Sequence, residues 1–172
     1  MKKSLLIALC CIALSFAACK PDNPTPVDPV DNVDYSENYV GDYIGSYTFN
    51  ITSMNNQPQA LGFPIDNIGM SITKGEGDNA IIATVTVDNE TRQTRGTSKA
   101  DKVDFESVNL AIDKPDQLYS FSLDLKMEGK KADTDTLNIT GTFSGNGKFT
   151  FAGQENILDE VSGNMTGKLV KQ

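Results

Sequence analysis

The clearest pattern in the chain is an alternation of apolar and polar positions between residues 39 and 51. Tyrosine, phenylalanine, isoleucine and glycine take every second position there, and Asp, Ser, Thr and Asn take most of those between. A period of two is typical of a β-strand with one buried face. Similar segments predict seven further strands, at residues 68–73, 80–87, 102–112, 118–128, 136–143, 148–153 and 161–170.

Turn residues separate these segments. Glycine, proline or an Asn-Gly pair occurs at residues 74–79, 113–116, 128–131 and 144–148, where hairpins need a positive or preset φ. Within 102–112, Val103 and Phe105 share one parity while Val108, Leu110 and Ile112 share the other. This change of parity predicts a β-bulge near Glu106-Ser107, or else two shorter strands.

The eight segments predict an all-β domain. No stretch repeats apolar residues at helical spacing for long enough to predict a helix. Parallel strands would need helical crossover connections, so we expect an antiparallel sheet. An eight-stranded up-and-down meander removes its exposed edges when the first strand pairs with the last. We therefore predict a closed barrel, with an open β-sandwich as the alternative.

The N-terminus has a different character. Two lysines are followed by an uncharged apolar stretch and by Phe16-Ala17-Ala18-Cys19. The stretch is shorter than the roughly 20 residues of a membrane-spanning helix, and this organisation is typical of a signal peptide. Its end resembles the lipobox of bacterial lipoproteins, which implies removal of residues 1–18 and attachment of a lipid to Cys19. We expect membrane attachment through that lipid.

Residues 19–38 are rich in proline and acidic side chains and contain little that could form a core. Such a segment is typical of an extended tether. The sequence therefore divides into a signal peptide (1–18), a lipidated tether (19–38) and a β domain (39–172).

A family resemblance is carried by Val40-Gly41-Asp42-Tyr43-Ile44-Gly45-Ser46-Tyr47-Thr48-Phe49, taken together with Cys19. These residues resemble the start of the calycin-like, or lipocalin-like, β-barrel lipoproteins of Bacteroidetes. The resemblance implies an eight-stranded calycin-like barrel on a lipoprotein of the cell envelope, attached to the outer membrane. It does not decide whether the protein is on the periplasmic or the surface-exposed face of that membrane. Lipocalin relatives carry small apolar ligands, and a barrel of this size is either filled by side chains or holds one small ligand.

Composition excludes several kinds of chemistry. Histidine is absent, and the only cysteines are Cys10, Cys11 and Cys19, so the β domain lacks the residues of His-dependent and cysteine catalysis and the preferred ligands of zinc. Carboxylate pairs such as Asp133 and Asp135 are typical of solvated loops in an acidic chain. We expect no enzymatic activity, no cofactor and no metal. The net charge of −8 disfavours nucleic acid as a partner.

Aromatic residues at alternating positions are the candidates for lining a ligand cavity. They either fill the core, which is the favoured interpretation, or surround a ligand. The candidates are Tyr43, Tyr47, Phe49, Phe105, Tyr119, Phe121 and Phe149. Thr136, in Asp135-Thr136-Leu137, resembles a short O-glycosylation site of Bacteroidetes.

Two functions remain open from the sequence. The first is a lipoprotein that binds a small apolar or amphipathic ligand in its barrel. The second is a structural or interaction module with a solid barrel, whose rim loops at 55–64 and 89–101 contact an envelope protein or a glycan.

Overall fold

The computed structural model describes residues 33–87, 90–114 and 118–172. These residues belong to a compact unit that runs from Asn32 to Gln172. The predicted signal peptide and Cys19 lie outside the described residues.

The described chain forms nine antiparallel strands after a short 3₁₀-helix at Ser36–Asn38. The strands are β1 (Gly41–Met54), β2 (Gln57–Lys74), β3 (Ala80–Val87), β4 (Glu90–Ser98), β5 (Lys102–Phe105), β6 (Val108–Lys114), β7 (Tyr119–Lys131), β8 (Thr136–Phe151) and β9 (Gln154–Lys171).

Strand pairing closes the sheet into a ring. β1 pairs with both β2 and β9, and β5 pairs with both β4 and β7. Because β6 also pairs with β7, β5 and β6 together occupy one place in an eight-membered ring. The predicted eight-stranded antiparallel barrel is therefore confirmed, and the open sandwich is not what forms.

The parity change within residues 102–112 corresponds to a break between β5 and β6. Glu106 and Ser107 belong to neither strand, so the interpretation as two shorter strands is the one that holds. The break is tied to β4, because the Glu106 N–H donates to the Arg95 carbonyl at 2.8 Å and the Thr94 hydroxyl donates to the Glu106 carbonyl at 2.8 Å. Phe105 before the break and Val108 after it are both buried, so the break keeps both apolar faces in the core.

Both predicted rim loops are largely strand. Residues 90–98 form β4. The sequence did not predict this strand, because its buried positions are Thr94, Gly96 and Ser98 and therefore give no hydrophobic pattern. Residues 57–64 belong to β2, and the preceding turn is only Asn55 and Asn56, with φ of 47° and 61°. Asparagine tolerates this left-handed region better than most residues, which explains why a two-residue turn suffices.

The hairpin predicted at 144–148 is wrong, because β8 runs unbroken through it. A Cβ at Gly145 would overlap the Ser122 carbonyl of β7, so glycine serves there to let two strands approach. The actual turn is at Ala152 and Gly153, with φ of 52° and 78°.

The end of the barrel that carries the turns at 75–79, 99–101 and 132–135 is here called the closed end. The Asp34 carboxylate contacts the Lys74 ammonium at 2.5 Å and accepts hydrogen bonds from the Ser36 and Asn79 N–H groups at 3.0 and 3.1 Å. The buried Tyr39 ring lies beside this cluster, and its hydroxyl donates to the Lys99 carbonyl at 3.0 Å. The last residues of the predicted tether are thus packed onto the barrel.

The Asp34 cluster predicts a pH dependence of stability. The hydrogen bond from Lys74, followed by that from the Ser36 N–H, holds the pKa of Asp34 well below its usual value. A carboxyl group whose pKa is lower in the folded than in the unfolded state stabilises above about pH 4, and this contribution is lost as the pH falls further. We therefore expect Asp34→Asn to lower the free energy of unfolding at pH 7, with a difference that shrinks towards pH 2.

Urea unfolding at pH 7, 4 and 2.5 measures this difference. Asp42→Asn is the matched control, because Asp42 is exposed on β1 and has no ion pair within the described part of the chain. An Asp34→Asn effect of equal size at all three pH values would contradict the expectation.

Candidate functional site

The predicted cavity-lining residues separate into two groups. Tyr43, Tyr47, Phe49, Phe105 and Phe121 are buried in the barrel core, whereas Tyr119 and Phe149 are half-buried. The last two lie where β7 begins and β8 ends, opposite the closed end. This opposite end, which carries the β1–β2 and β8–β9 turns, is called the pocket end.

A stack of aromatic rings fills the barrel towards the pocket end. Phe63 of β2 lies nearly parallel to Phe49 of β1 and to Phe121 of β7, with ring centroids 5.3 and 5.5 Å away. Phe143 meets the edge of Phe49 at 5.4 Å, and Tyr119 tilts against Phe63 at 5.5 Å. Side chains from four strands, β1, β2, β7 and β8, therefore meet across the interior, and the described core is packed at this level.

Above the stack lies an apolar pocket of about 230 Å³. Three of the residues that the sequence predicted to line a cavity, Tyr119, Phe121 and Phe149, line this pocket. None of the described side chains around it is charged. The lining consists of Ile51, Met54, Leu61, Phe63, Leu118, Tyr119, Phe121, Phe149 and Thr150. We call this set the apolar pocket.

Sequence reasoning missed several of these residues. Leu61 and Phe63 lie in the segment interpreted as a loop, where prolines and a glycine interrupt the apolar pattern. The signal that could have found them is the alternation of Leu61, Phe63 and Ile65, which is the period of a strand. In the structure Phe63 lies directly opposite Phe49, so both rings are on one face of the sheet.

A second depression of about 320 Å³ adjoins the apolar pocket and is called the polar groove. Its lining is Asp113, Leu118, Tyr119, Ser120, Lys148, Thr150 and Glu155. The Lys148 ammonium and the Glu155 carboxylate form an ion pair at 2.9 Å. Three residues, Leu118, Tyr119 and Thr150, line both depressions and so form a wall that the two share.

The buried tyrosines have different roles from those at the pocket. The Tyr43 hydroxyl donates to the Tyr39 carbonyl at 2.9 Å and so helps to seal the closed end. The Tyr47 hydroxyl is fully buried without a hydrogen-bond partner in the described chain, and this burial raises the pKa of Tyr47. An unsatisfied buried hydroxyl costs about 1–3 kcal/mol, so Tyr47 contributes through its ring.

Thr136 opens β8 with its side chain only 8% exposed. The Asp135 N–H and then the Thr136 hydroxyl bond to Asp133 and lower the pKa of that carboxyl group. The hydroxyl is therefore engaged inside a turn, and O-glycosylation at Thr136 stays a prediction.

Within residues 33–87, 90–114 and 118–172, no group of three or more acidic, histidine or cysteine side chains could hold a metal ion. In the same part of the chain, no helix is long and apolar enough to span a bilayer.

No protein-family model matches the sequence, and no curated protein sequence matches it. Several solved structures match part of the chain at low TM-scores. A protein of unknown function from the DUF3598 family of Nostoc punctiforme gives a TM-score of 0.40 at 8% identity over 78% of this chain and 48% of that one. Short afifavidin in complex with biotin gives 0.28 at 14% identity, over 73% and 88% of the two chains.

A multidomain protein from Bacteroides ovatus that includes DUF1735 gives a TM-score of 0.28 at 15% identity over 78% of this chain and 51% of that one. The chain thus spans about half the length of this protein and of the DUF3598 protein. The barrel assignment follows from the strand pairing itself.

Proposed function

We propose that this protein is a non-enzymatic lipoprotein of the cell envelope that binds a small apolar or amphipathic ligand in the apolar pocket. The observation that carries the proposal is the uncharged, aromatic lining of that pocket at one end of the barrel. The lipid on Cys19 would attach the protein to the outer membrane, on its periplasmic or its external face.

Pocket size and lining favour a small apolar group. A dry apolar cavity of about 150 Å³ is enough for benzene, so a pocket of about 230 Å³ accepts a somewhat larger group. Leu61 and Leu118 are 52% and 54% exposed at its edge, and a ligand would remove part of this apolar surface from water. The packed aromatic stack beneath restricts binding to the pocket end, rather than the full depth of the barrel.

The same packed interior favours a second function, that of a structural or interaction module. In that case the exposed hairpins at the pocket end would contact an envelope protein or a glycan. Because 55–64 and 90–98 are strands or tight turns, the contact surface would be rigid and not made of long loops.

Binding of the fluorescent apolar probe 1-N-phenylnaphthylamine to the full chain tests the proposal. Leu118→Asn removes one apolar wall, and asparagine suits the positive φ of 62° at this position. We expect the dissociation constant to rise about tenfold, since losing most of the burial of one leucine costs about 1.5 kcal/mol.

The matched control is Ile44→Asn, because Ile44 is an exposed apolar residue of β1 near the closed end. If the two substitutions had equal effects on the dissociation constant, the probe would not be binding in the apolar pocket. Absence of any probe binding would overturn the carrier proposal and leave the interaction module.

A further inference from the structure

We infer that the ligand of the apolar pocket is a flat aromatic ring system of one or two fused rings, which lies against the Phe149 ring. This inference rests on the proposed function and names the class of ligand. It follows from the arrangement of the four aromatic side chains that line the pocket.

Three rings of the lining form a fixed group, which we call the ring group. Phe63, Tyr119 and Phe121 lie with each pair of ring centroids 5.5 Å apart, at interplanar angles of 16° to 54°. Each ring therefore contacts the other two, and Phe63 also stacks on the buried Phe49. Rings that hold one another in this way lose little conformational freedom when a ligand binds.

The Phe149 ring stands apart from the ring group. Phe149 lies directly opposite Tyr119 in the β7–β8 register, where the Cβ atoms of a pair are about 5 Å apart. Its ring nevertheless contacts no other aromatic ring in the described ranges. Phe149 and the ring group line the same pocket, so the space of the pocket borders both. A flat ring in that space can contact both.

Ring contacts favour an aromatic ligand over a saturated one. Aromatic rings attract one another in offset-stacked or edge-to-face arrangements at centroid distances of about 4.5–7 Å, beyond the effect of buried apolar area. Separations of 5.3 and 5.5 Å within the stack beneath the pocket are of this kind. Met54, also in the lining, adds a polarisable thioether that suits ring edges. An alkyl chain makes none of the ring contacts and loses internal rotations on binding.

The volume of the pocket limits the ring system to about two fused rings. A cavity of about 150 Å³ is enough for benzene, and the apolar pocket, at about 230 Å³, is about one and a half times as large. Naphthalene and indole exceed benzene by a similar proportion. No charged side chain is among the described lining, so the buried ring is uncharged. A polar substituent would stay in water at the exposed edge, where Leu61 and Leu118 lie.

A matched pair of probes tests the inference on the full chain. 2-Naphthol and its saturated counterpart decahydro-2-naphthol have the same carbon skeleton and the same hydroxyl group, but only 2-naphthol is flat and aromatic. We expect 2-naphthol to bind about tenfold more tightly in isothermal titration calorimetry, because it makes ring contacts with Phe149 and with the ring group. Equal binding of the two probes, or tighter binding of the saturated one, would overturn the ring assignment.

Phe149→Leu removes the ring and keeps an apolar side chain at the same position. It should weaken 2-naphthol binding about fivefold and change decahydro-2-naphthol binding less than about twofold. Tyr35→Leu is the matched control, because Tyr35 is a partly buried aromatic residue at the closed end and its hydrogen bond to Asn79 uses the backbone N–H. The control should leave both affinities unchanged. Equal losses of the two probes in Phe149→Leu would contradict a contact specific to the ring.

The combined outcomes separate this inference from the proposed function. If phenylnaphthylamine binds and decahydro-2-naphthol binds as tightly as 2-naphthol, only the ring inference fails, and the pocket accepts apolar ligands of any shape that fits. If neither phenylnaphthylamine nor either naphthol binds, the inference and the proposed function fail together.

Discussion

Replacing Gly145 by alanine should destabilise the barrel by about 3 kcal/mol, although the change adds a single methyl group. The added Cβ would overlap the Ser122 carbonyl oxygen and lie 3.0 Å from the Leu123 Cα. Both obstacles are backbone atoms of β7. The overlap can be relieved only if β7 and β8 separate where they are paired. Urea denaturation monitored by circular dichroism measures the loss.

Gly69→Ala is the matched control for this prediction. Gly69 also lies in a paired strand, but the nearest atom to a new Cβ is the Thr86 Cβ at an ordinary 3.7 Å. Alanine there restricts the unfolded chain and should leave stability unchanged or raise it by up to about 1 kcal/mol. Similar losses for the two variants would show that close strand approach is not the reason for glycine at 145.

Phe49→Ala is expected to cost about 3–5 kcal/mol, the range for removal of a buried aromatic side chain. Phe49 is fully buried, and its ring stacks on that of Phe63 and makes an edge contact with that of Phe143. Its loss leaves a cavity within the aromatic stack, directly beneath the apolar pocket. The free energy of unfolding from urea titration measures the effect.

Phe149→Ala provides the comparison, because Phe149 is only half-buried and lines the apolar pocket. It should cost clearly less stability than Phe49→Ala while weakening binding of the apolar probe. A stability loss as large as that of Phe49→Ala would mean that the pocket wall is part of the core.

Alternation alone was sufficient to predict the barrel because most strands bury one apolar face, as 80–87 and 119–125 do. It failed for β4, where the interior positions are small polar residues that leave no hydrophobic signal. It also failed in β8, because glycine has two uses in sheets and local sequence does not distinguish a turn from a close approach. The strand that approaches Gly145 lies more than twenty residues away.

The candidate site was predictable only in part, for a related reason. Tyr119, Phe121 and Phe149 belong to clearly alternating segments, and the structure places all three at the apolar pocket. The polar groove was beyond prediction, since it joins Asp113 and Ser120 to Lys148 and Glu155 through a register that only the folded sheet defines. Its hydroxyls also belong to residue types that are common on any exposed strand.

The packing of Asp34 and Tyr39 onto the closed end has a practical consequence for experiments. The chain enters the barrel at this end, and β9 also finishes there, because a ring of eight antiparallel places brings its last strand back beside its first. A strand as long as β1, tilted as in other barrels, separates this end from the apolar pocket by roughly 35 Å. Immobilisation on a sensor chip through the C-terminus, which follows β9, would therefore leave the pocket end of the barrel facing the solvent and accessible to probes.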